Sequence, residues 1–505
     1  MSPAMTSAAS LIDRLLHHAE TRPNDLAVCE LGDGGERREL TWRELRDAAM
    51  NLARTLRRDY SGYTVMMALP NSLEAQIALL GSLWSGSRTF PLSANTPVQG
   101  FRLLVEKIGK SVLIAGEDLT NATAMIFDGT LVADTLAVET AIHPETSVDV
   151  LPDESRHSSI LLESSGTTGL PKIVRREMPS LFAMGQNLVK ALALSSADRI
   201  LVSIPQFHSY GIDVAMAAAT SAGCEIEVHR NYSPATVRSA LGEGKITVWP
   251  AVPLMFDTIS RSNELAPSHG LRLAISAGSP LPDRVYEQFR RVFNTSIGQI
   301  YGASEFGSVF YGSPEIAPFD PASVGRPLDG VEARILNLER PDIERPLPPG
   351  AEGEIAIRTP TMLSAYLEEG EEGPDRFGFL RTGDLGSLDD EGVLRLTGRV
   401  KLLIDIGANK VNPLELEALL IKHPTVAEAV VLAVPYSDTA DRLKAVVLAR
   451  EGKRPDPVEL QSYLREHLVA FKIPRSIEVR DSFPRSPTGK ILRAVLQAEV
   501  YEAKT

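Results

Sequence analysis

A run of small, hydroxylated and cationic residues, Ser164–Val174 (SSGTTGLPKIV), carries the clearest chemical signal in the chain. Gly166 and Gly169 let the backbone turn where a Cβ would obstruct it. Successive N–H groups of such a turn point inward and form a nest for anions. Ser164, Ser165, Thr167 and Thr168 add hydroxyl donors and Lys172 a positive charge, a set that suits a polyphosphate. The competing reading is a solvated Gly/Ser/Thr linker. It is weakened because the run follows the apolar Ile160-Leu161-Leu162 and ends in Pro-Lys. The spacing is not that of a Walker loop, so any phosphate cradle here is of another kind. Further along, His208 follows an apolar strand in PQFHSYG. In QIYGASEFGS, Tyr301 offers a flat surface and Gly302 close backbone approach. Ser304 and Glu305 supply hard oxygen ligands of the kind Mg²⁺ takes. Asp384, on a Thr-Gly-Asp turn, can accept two hydrogen bonds from vicinal hydroxyls. Lys490 sits on the turn PRSPTGK. Each has an ordinary alternative: a packed histidine, a solvated glutamate, a turn aspartate, a solvated lysine.

The elements that must position these residues follow an α/β rhythm. Helices are expected at Leu11–Glu20, at Leu40–Arg58 with Thr41 and Glu44 as a capping box, and at Leu73–Ser85. Strands are expected at Tyr63–Leu69, Thr89–Leu92, Ser111–Ala115 and Ala124–Ile126. After the loop come strands at Ile200–Ile204, Glu225–His229, Ile246–Val252 and Leu271–Ser276, with helices at Ile212–Thr220 and Pro234–Glu243 between them. That alternation predicts parallel sheets with crossover helices. The last hundred or so residues, a usual size for a small domain, read as helices Pro413–His423 and Pro457–Leu468 with strands Ala427–Val434 and Leu443–Ala449.

With 505 residues, 43% of them hydrophobic and 23% charged, the chain is long enough for two or more globular domains. A formal net charge of -13 disfavours nucleic acid or an anionic membrane as a general partner. Two distant cysteines, Cys29 and Cys224, form neither a disulfide framework nor a metal motif, which predicts a reduced, cytoplasmic setting. The N-terminal segment lacks the basic and apolar regions of a signal peptide, and no apolar run is long enough to span a bilayer.

SSGTTGLPK closely resembles the phosphate loop of the adenylate-forming enzymes: acyl- and aryl-CoA synthetases, luciferases and peptide-synthetase adenylation domains. Five further motifs follow in the family's order, so the resemblance covers nearly the whole chain. It implies an α/β fold: a large N-terminal domain of parallel-rich sheets with flanking helices and a β-rich subdomain, then a small mobile α+β C-terminal domain. The expected limits are 1–397, a hinge at 398–402 centred on Lys401, and 403–505. ATP would be held by Ser164–Gly169 and Lys172, by the Gly278-Ser279 turn, and by Tyr301, Gly302, Ala303 and Ser304. Asp384 would hold the ribose, Arg399 would reach the ribose or a phosphate, and Lys490 would bridge carboxylate and α-phosphate. Thr168 and Glu305 are the implied Mg²⁺ ligands, and Lys490, His208 and Lys172 the catalytic residues.

The implied acid pocket is lined by His208, Ser209, Asp213, Trp249, Val252 and Gly302. Read as bare residues, Trp249 and Val252 are core, and Asp213 is a first-turn acid favoured by the helix dipole. Ser209 stands where domains selecting α-amino acids keep an aspartate, which favours a plain carboxylate. The implied reaction turns an aryl or alkyl carboxylate and ATP into acyl-AMP and pyrophosphate. The acyl group then passes to a pantetheine thiol, of CoA or of an acyl carrier protein. Three departures stand out: Glu163 before the loop, Ile173 after Lys172, and Ala408 where the family has a glycine along the pantetheine tunnel. Ala408 keeps open an amine acceptor and amide formation. A noncatalytic nucleotide-binding relative and a kinase-like phosphotransferase are the readings from other classes. The first is disfavoured because Lys490 and Glu305 are present; the second would release ADP rather than AMP.

Overall fold

The computed structural model describes residues 10–32, 35–132, 154–164, 172–261, 269–314, 320–367, 373–406, 409–437, 440–486 and 490–502. They group into two compact units. One is built from the chain as far as Glu332 together with Arg358–Gly378, the other from Ala333–Ile357 and the chain from Phe379 onward.

Two sheets organise the first unit. In one, parallel strands lie side by side in the order Ile297–Ala303, Leu273–Ser276, Val248–Ala251, Arg199–Val202, Glu225–His229, Leu26–Leu31. Antiparallel strands flank them: Gly307–Gly312 beside the first and Arg37–Thr41 beside the last. The other sheet runs Ala365–Tyr366, Lys172–Glu177, Ser159–Ser164, Arg88–Leu92, Thr64–Ala68, Ser111–Ala115, Gly129–Val132. Its strands are parallel except for the pairings of Lys172–Glu177 with its two neighbours.

The helix Leu73–Trp84 lies in the core common to both sheets. Its sequence, LEAQIALLGSLW, is apolar nearly all round, and every residue is buried, as such a helix must be. It shares one cluster with Val65, Met67, Ile160 and Leu162 of the second sheet and Ile200, Val202 and Val228 of the first. Its buried Glu74 accepts from Arg38 Nη1 at 2.6 Å, the pairing a buried carboxylate requires. The adjacent helix Trp42–Asp59 starts at the expected capping box: Glu44 N–H donates to Thr41 Oγ1 at 3.3 Å and Thr41 N–H to Glu44 Oε2 at 2.8 Å. The opposite faces carry separate aromatic cores, Trp249, Phe256, Phe289 and Phe293 under the first sheet and Phe90, Phe101 and Phe127 under the second.

Two local expectations change. No strand forms at 124–126; the chain is helical over Glu117–Thr123 and the strand comes at Gly129–Val132. Two acids in that helix's first turn, Glu117 and Asp118, complement its dipole. The helix expected at Ile212–Thr220 is wound as a π-helix over Ile212–Ala218, between short α-turns at Ser209–Gly211 and Ala219–Ala222.

The second unit begins with strands in the order Glu332–Leu336, Gly353–Arg358, Leu380–Leu388, Leu394–Arg399, the last three antiparallel to their neighbours in turn. A small hairpin, Ile404–Ile406 with Asn409–Val411, leads into the helix Pro413–Lys422. A three-stranded sheet follows, Val426–Ser437, Ala440–Ala449 and Ser476–Arg480, packed by Pro457–His467 and Arg493–Glu502. The compact units therefore do not divide at the expected 397. Strands at 380–388 and 394–399 group with 333–357 and the C-terminal region, and Leu380–Leu388 pairs with both Gly353–Arg358 and Leu394–Arg399.

Both cysteines are enclosed. Burial pushes the Cys29 thiol up to about 11 and the Cys224 thiol up to about 12. No helix among the described residues is long and apolar enough to cross a membrane.

Candidate active site

The glycine-rich run joins two antiparallel strands. Ser159–Ser164 pairs with Lys172–Glu177, and Ser164 faces Lys172 across the ladder at the base of the loop. The chain thus returns as a hairpin, and no helix N-terminus follows the loop as it would in a Walker site. Ser165, Gly166, Thr167, Thr168 and Gly169 lie outside the described residues. Lys172 Nζ stands 5.4 Å from the ring centroid of Tyr366. The Ser304 hydroxyl donates to the Glu163 carbonyl at 3.2 Å, which fixes the Ser304-Glu305 turn beside the strand that enters the loop.

Strand order marks a crevice. From Arg199–Val202 the chain first adds Glu225–His229 on one side, then returns to add Val248–Ala251 on the other. At such a switch point the loops leaving the carboxyl ends diverge, and open α/β sheets bind ligands there. The loops are those of His208 and of Val252. The first is pinned: Asn71 Nδ2 donates to the Ile204 carbonyl at 2.9 Å, and Gln206 N–H donates to Asn71 Oδ1 at 2.9 Å. His208 is exposed at the start of the following helix, 4.4 Å from Phe207 between ring centroids, with Ser209 half-buried beside it. Val252 Cγ1 lies 3.7 Å from where a Cβ on Gly278 would sit, so the Val252 and Gly278-Ser279 loops adjoin.

Two residues of the implied acid pocket are placed elsewhere. Trp249 is fully buried among Phe256 and Phe289, and its Nε1 donates to Ser203 Oγ at 3.0 Å. Strand alternation turns it to the aromatic core. Asp213 is also enclosed; its carboxylate accepts from Arg176 Nη1 at 2.9 Å and from Ser308. Trp249 thus packs in the aromatic core and Asp213 stands in a buried ion pair.

The Tyr301–Ser308 turn is tight. A Cβ on Gly302 would lie 2.4 Å from the Gly307 carbonyl oxygen, so only glycine fits. Tyr301 is packed by Phe306 and Phe310, Ala303 pairs with Gly307, and the Glu305 carbonyl accepts from Leu363 N–H at 2.7 Å. Glu305 is half-buried, on a turn hydrogen-bonded to the phosphate hairpin. A hard carboxylate is the ligand type that Mg²⁺ takes.

In the second unit, Asp384 and Arg399 face one another across adjacent strands, with Arg399 Nε donating to Asp384 Oδ1 at 2.7 Å. Asp384 N–H donates to Thr382 Oγ1 at 3.0 Å, and that hydroxyl donates to the Ile355 carbonyl at 2.9 Å, so the Thr-Gly-Asp turn is held from below. Lys490 is exposed, but its backbone is fixed. Ser486 N–H donates to the Lys490 carbonyl at 2.8 Å and Lys490 N–H to Ser486 Oγ at 3.2 Å. Desolvation holds its ammonium below the ordinary lysine value, Arg399 adds to that effect, and Asp384 opposes it. Lys490 therefore shares an electrostatic neighbourhood with Asp384 and Arg399. Lys401 is exposed on the single 3₁₀ turn Val400–Leu402. Gly407 and Ala408 lie outside the described residues.

Some supporting residues carried no motif. Asn71 fixes the His208 loop from a distant helix start, a contact that no sequence spacing announces. Arg176 did leave a sign: it shares a strand face with Val174, so alternation pointed its charge inward.

The family described as AMP-binding enzyme matches residues 15–367, and the AMP-binding enzyme C-terminal domain matches 415–490. The chain is 30% identical over 473 residues to 4-coumarate–CoA ligase 5 of Oryza sativa subsp. japonica, covering 87% of this chain and 85% of that protein. It is 28% identical over 457 residues to probable CoA ligase CCL9 of Humulus lupulus, covering 86% of each. Among solved structures, ATP-bound MatB from Rhodopseudomonas palustris has the same fold, with a TM-score of 0.87 at 23% identity over 98% of this chain and 99% of that one. O-succinylbenzoate coenzyme A synthetase from Bacillus subtilis, in complex with AMP, gives a TM-score of 0.82 at 25% identity over 96% of this chain and 98% of that one. The chain belongs to the AMP-binding enzymes, the adenylate-forming superfamily to which acyl-CoA synthetases belong.

Proposed function

We propose that this enzyme is an AMP-forming acid–thiol ligase that activates a small carboxylic acid with ATP and passes the acyl group to the pantetheine thiol of CoA. The observation that carries the reading is the cluster of Lys490, Arg399 and Asp384. Arg399 pairs with Asp384, and Lys490 lies within their electrostatic reach, so the neighbourhood carries a surplus of positive charge suited to a carboxylate meeting an α-phosphate. In the first step a carboxylate oxygen attacks the α-phosphorus, the bond to the β-phosphate oxygen breaks, and pyrophosphate leaves. Lys490 offsets charge at the reacting oxygens, and Asp384 fixes the ribose. Lys172 and the hydroxyls of Ser164, Ser165, Thr167 and Thr168 hold the departing phosphates. Such catalysis is mainly positioning and charge stabilisation. Glu305 and Thr168 would hold Mg²⁺, which neutralises phosphate charge when bound. In the second step the thiol sulfur attacks the acyl carbon, the bond to AMP oxygen breaks, and AMP leaves with the proton passing to solvent. Lys401 is the residue about which the C-terminal domain would turn between steps, since a few residues can absorb such a rotation.

A pyrophosphate-release screen over aryl and alkyl acids, run with CoA, with amines or with neither, tests the reading. Acid-dependent release with AMP as the nucleotide product supports it; ADP as the product overturns it. Ala408 adds a methyl where the family has glycine, and a methyl that crowds the pantetheine arm would favour an amine acceptor. Ala408→Gly is expected to raise thioester formation several-fold and leave pyrophosphate exchange unchanged. Equal turnover with CoA before and after the change removes the methyl as an obstacle.

A further inference from the structure

Three segments that the adenylation reading assigns to phosphate, acid and metal meet at one buried carboxylate. Arg176 lies on the return strand of the phosphate hairpin, four residues after Lys172, and is 0% exposed. Asp213 lies on the π-helix, five residues after His208, and is 1% exposed. Arg176 Nη1 donates to Asp213 Oδ1 at 2.9 Å. Asp213 Oδ2 accepts both the N–H of Ser308, at 3.1 Å, and its hydroxyl, at 3.2 Å. Ser308 follows Glu305 by three residues. Gly307 between them has φ +66°, and a Cβ there would lie 2.3 Å from Met184 Cε, 2.9 Å from Arg176 Nη2 and 3.1 Å from Asp213 Oδ2. The turn can approach the pair so closely only because that residue is glycine.

Stability alone gives little reason for this arrangement. Two apolar side chains of similar volume commonly replace a buried ion pair without loss, whereas removing one partner is costly. Arg176 Nε and Nη2 are also buried without a hydrogen-bond partner, a further penalty. The pair does what an apolar contact cannot: its carboxylate fixes the direction of two donors from one turn while a guanidinium from the phosphate hairpin fixes the carboxylate. Asp213 sits on the helix that begins at His208, so a single group ties all three segments in one register.

We infer that Asp213, held by Arg176, is a positioning residue that sets the Glu305 turn against the phosphate hairpin and the His208 helix. The proposal rests on the adenylation reading. The test replaces both charges, Arg176→Met with Asp213→Leu, and measures thermal midpoint and acid-dependent ATP–pyrophosphate exchange on the full chain. A folded double variant is expected to melt near the wild-type midpoint yet exchange about 10- to 100-fold more slowly in kcat, the scale set by small misplacements of reacting groups. A double variant with both wild-type midpoint and wild-type kcat overturns the proposal. Should it fail to fold, Ser308→Ala decides, since it leaves the ion pair intact. Lowered kcat with a raised Mg²⁺ requirement, rescued by Ser308→Thr, supports positioning; unchanged kcat and Mg²⁺ requirement overturn it. Absence of exchange in the wild-type protein across all acids overturns the adenylation reading, and this proposal with it.

Discussion

Replacing Lys490 by alanine is expected to lower acid-dependent ATP–pyrophosphate exchange by about 10²–10³-fold, the usual loss when one preorganised charge or donor is taken from a reacting centre. The thermal midpoint should barely move. The lysine's backbone is held by other groups: Ser486, the Arg485–Glu428 ion pair at 2.6 Å, and Arg493, which reaches the buried Glu417. Lys490→Arg should recover part of the loss, since it keeps the charge and changes its reach. The pH profile gives a second signature. The lysine's pKa is held below the ordinary 10.5 by desolvation and by Arg399. Its charge, and the exchange that needs it, is lost as pH rises through that lowered value. The alkaline limb should therefore fall earlier than for a free lysine and vanish in the alanine variant. Near wild-type exchange by Lys490→Ala would remove the lysine from the chemistry.

The second large effect is expected at Asp384. Asp384→Ala should raise the KM for ATP by about 10- to 100-fold, the range of one or two charge-assisted hydrogen bonds to vicinal hydroxyls. The effect on folding should be small. Arg399, the partner left behind, is 43% exposed and can turn to water, so the lost ion pair is worth at most about 1 kcal/mol. Asp384→Asn should fall between, because an amide keeps one acceptor oxygen. The pattern that separates ribose binding from general damage is a raised KM at an unchanged thermal midpoint. An unchanged KM for ATP would take Asp384 out of the nucleotide site.

Much of the scaffold was legible because single residues with strong local chemistry announced it. Thr41 with Glu44 located a helix cap to the residue, though the helix itself begins at Trp42 rather than at the expected Leu40. The apolar run at 111–115 became the strand Ser111–Ala115 with no change of limits. Glu225–His229 did likewise. Legibility failed where long-range partners decide. The 124–126 segment has strand-like residues but no ladder to join. Trp249 lies on a strand and Asp213 on the π-helix, and which way each faces is set by packing partners distant in sequence, which a linear pattern does not carry. The compact grouping is of the same kind: cross-strand pairing ties Leu380–Leu388 to Gly353–Arg358, while the sequence punctuates only the Thr-Gly-Arg at 397–399.

The two cysteines give the fold a chemical hygiene that their distance from any motif conceals. An enzyme that makes an acyl-AMP holds a mixed anhydride that any thiolate can intercept. Cys29 and Cys224 are both walled off, and burial lifts their thiols to about 11 and about 12, so at neutral pH neither offers the anion that attacks. The protein thus keeps no thiol nucleophile of its own to compete with the acceptor. It should resist self-acylation during stalled turnover and remain inert to alkylating reagents while folded.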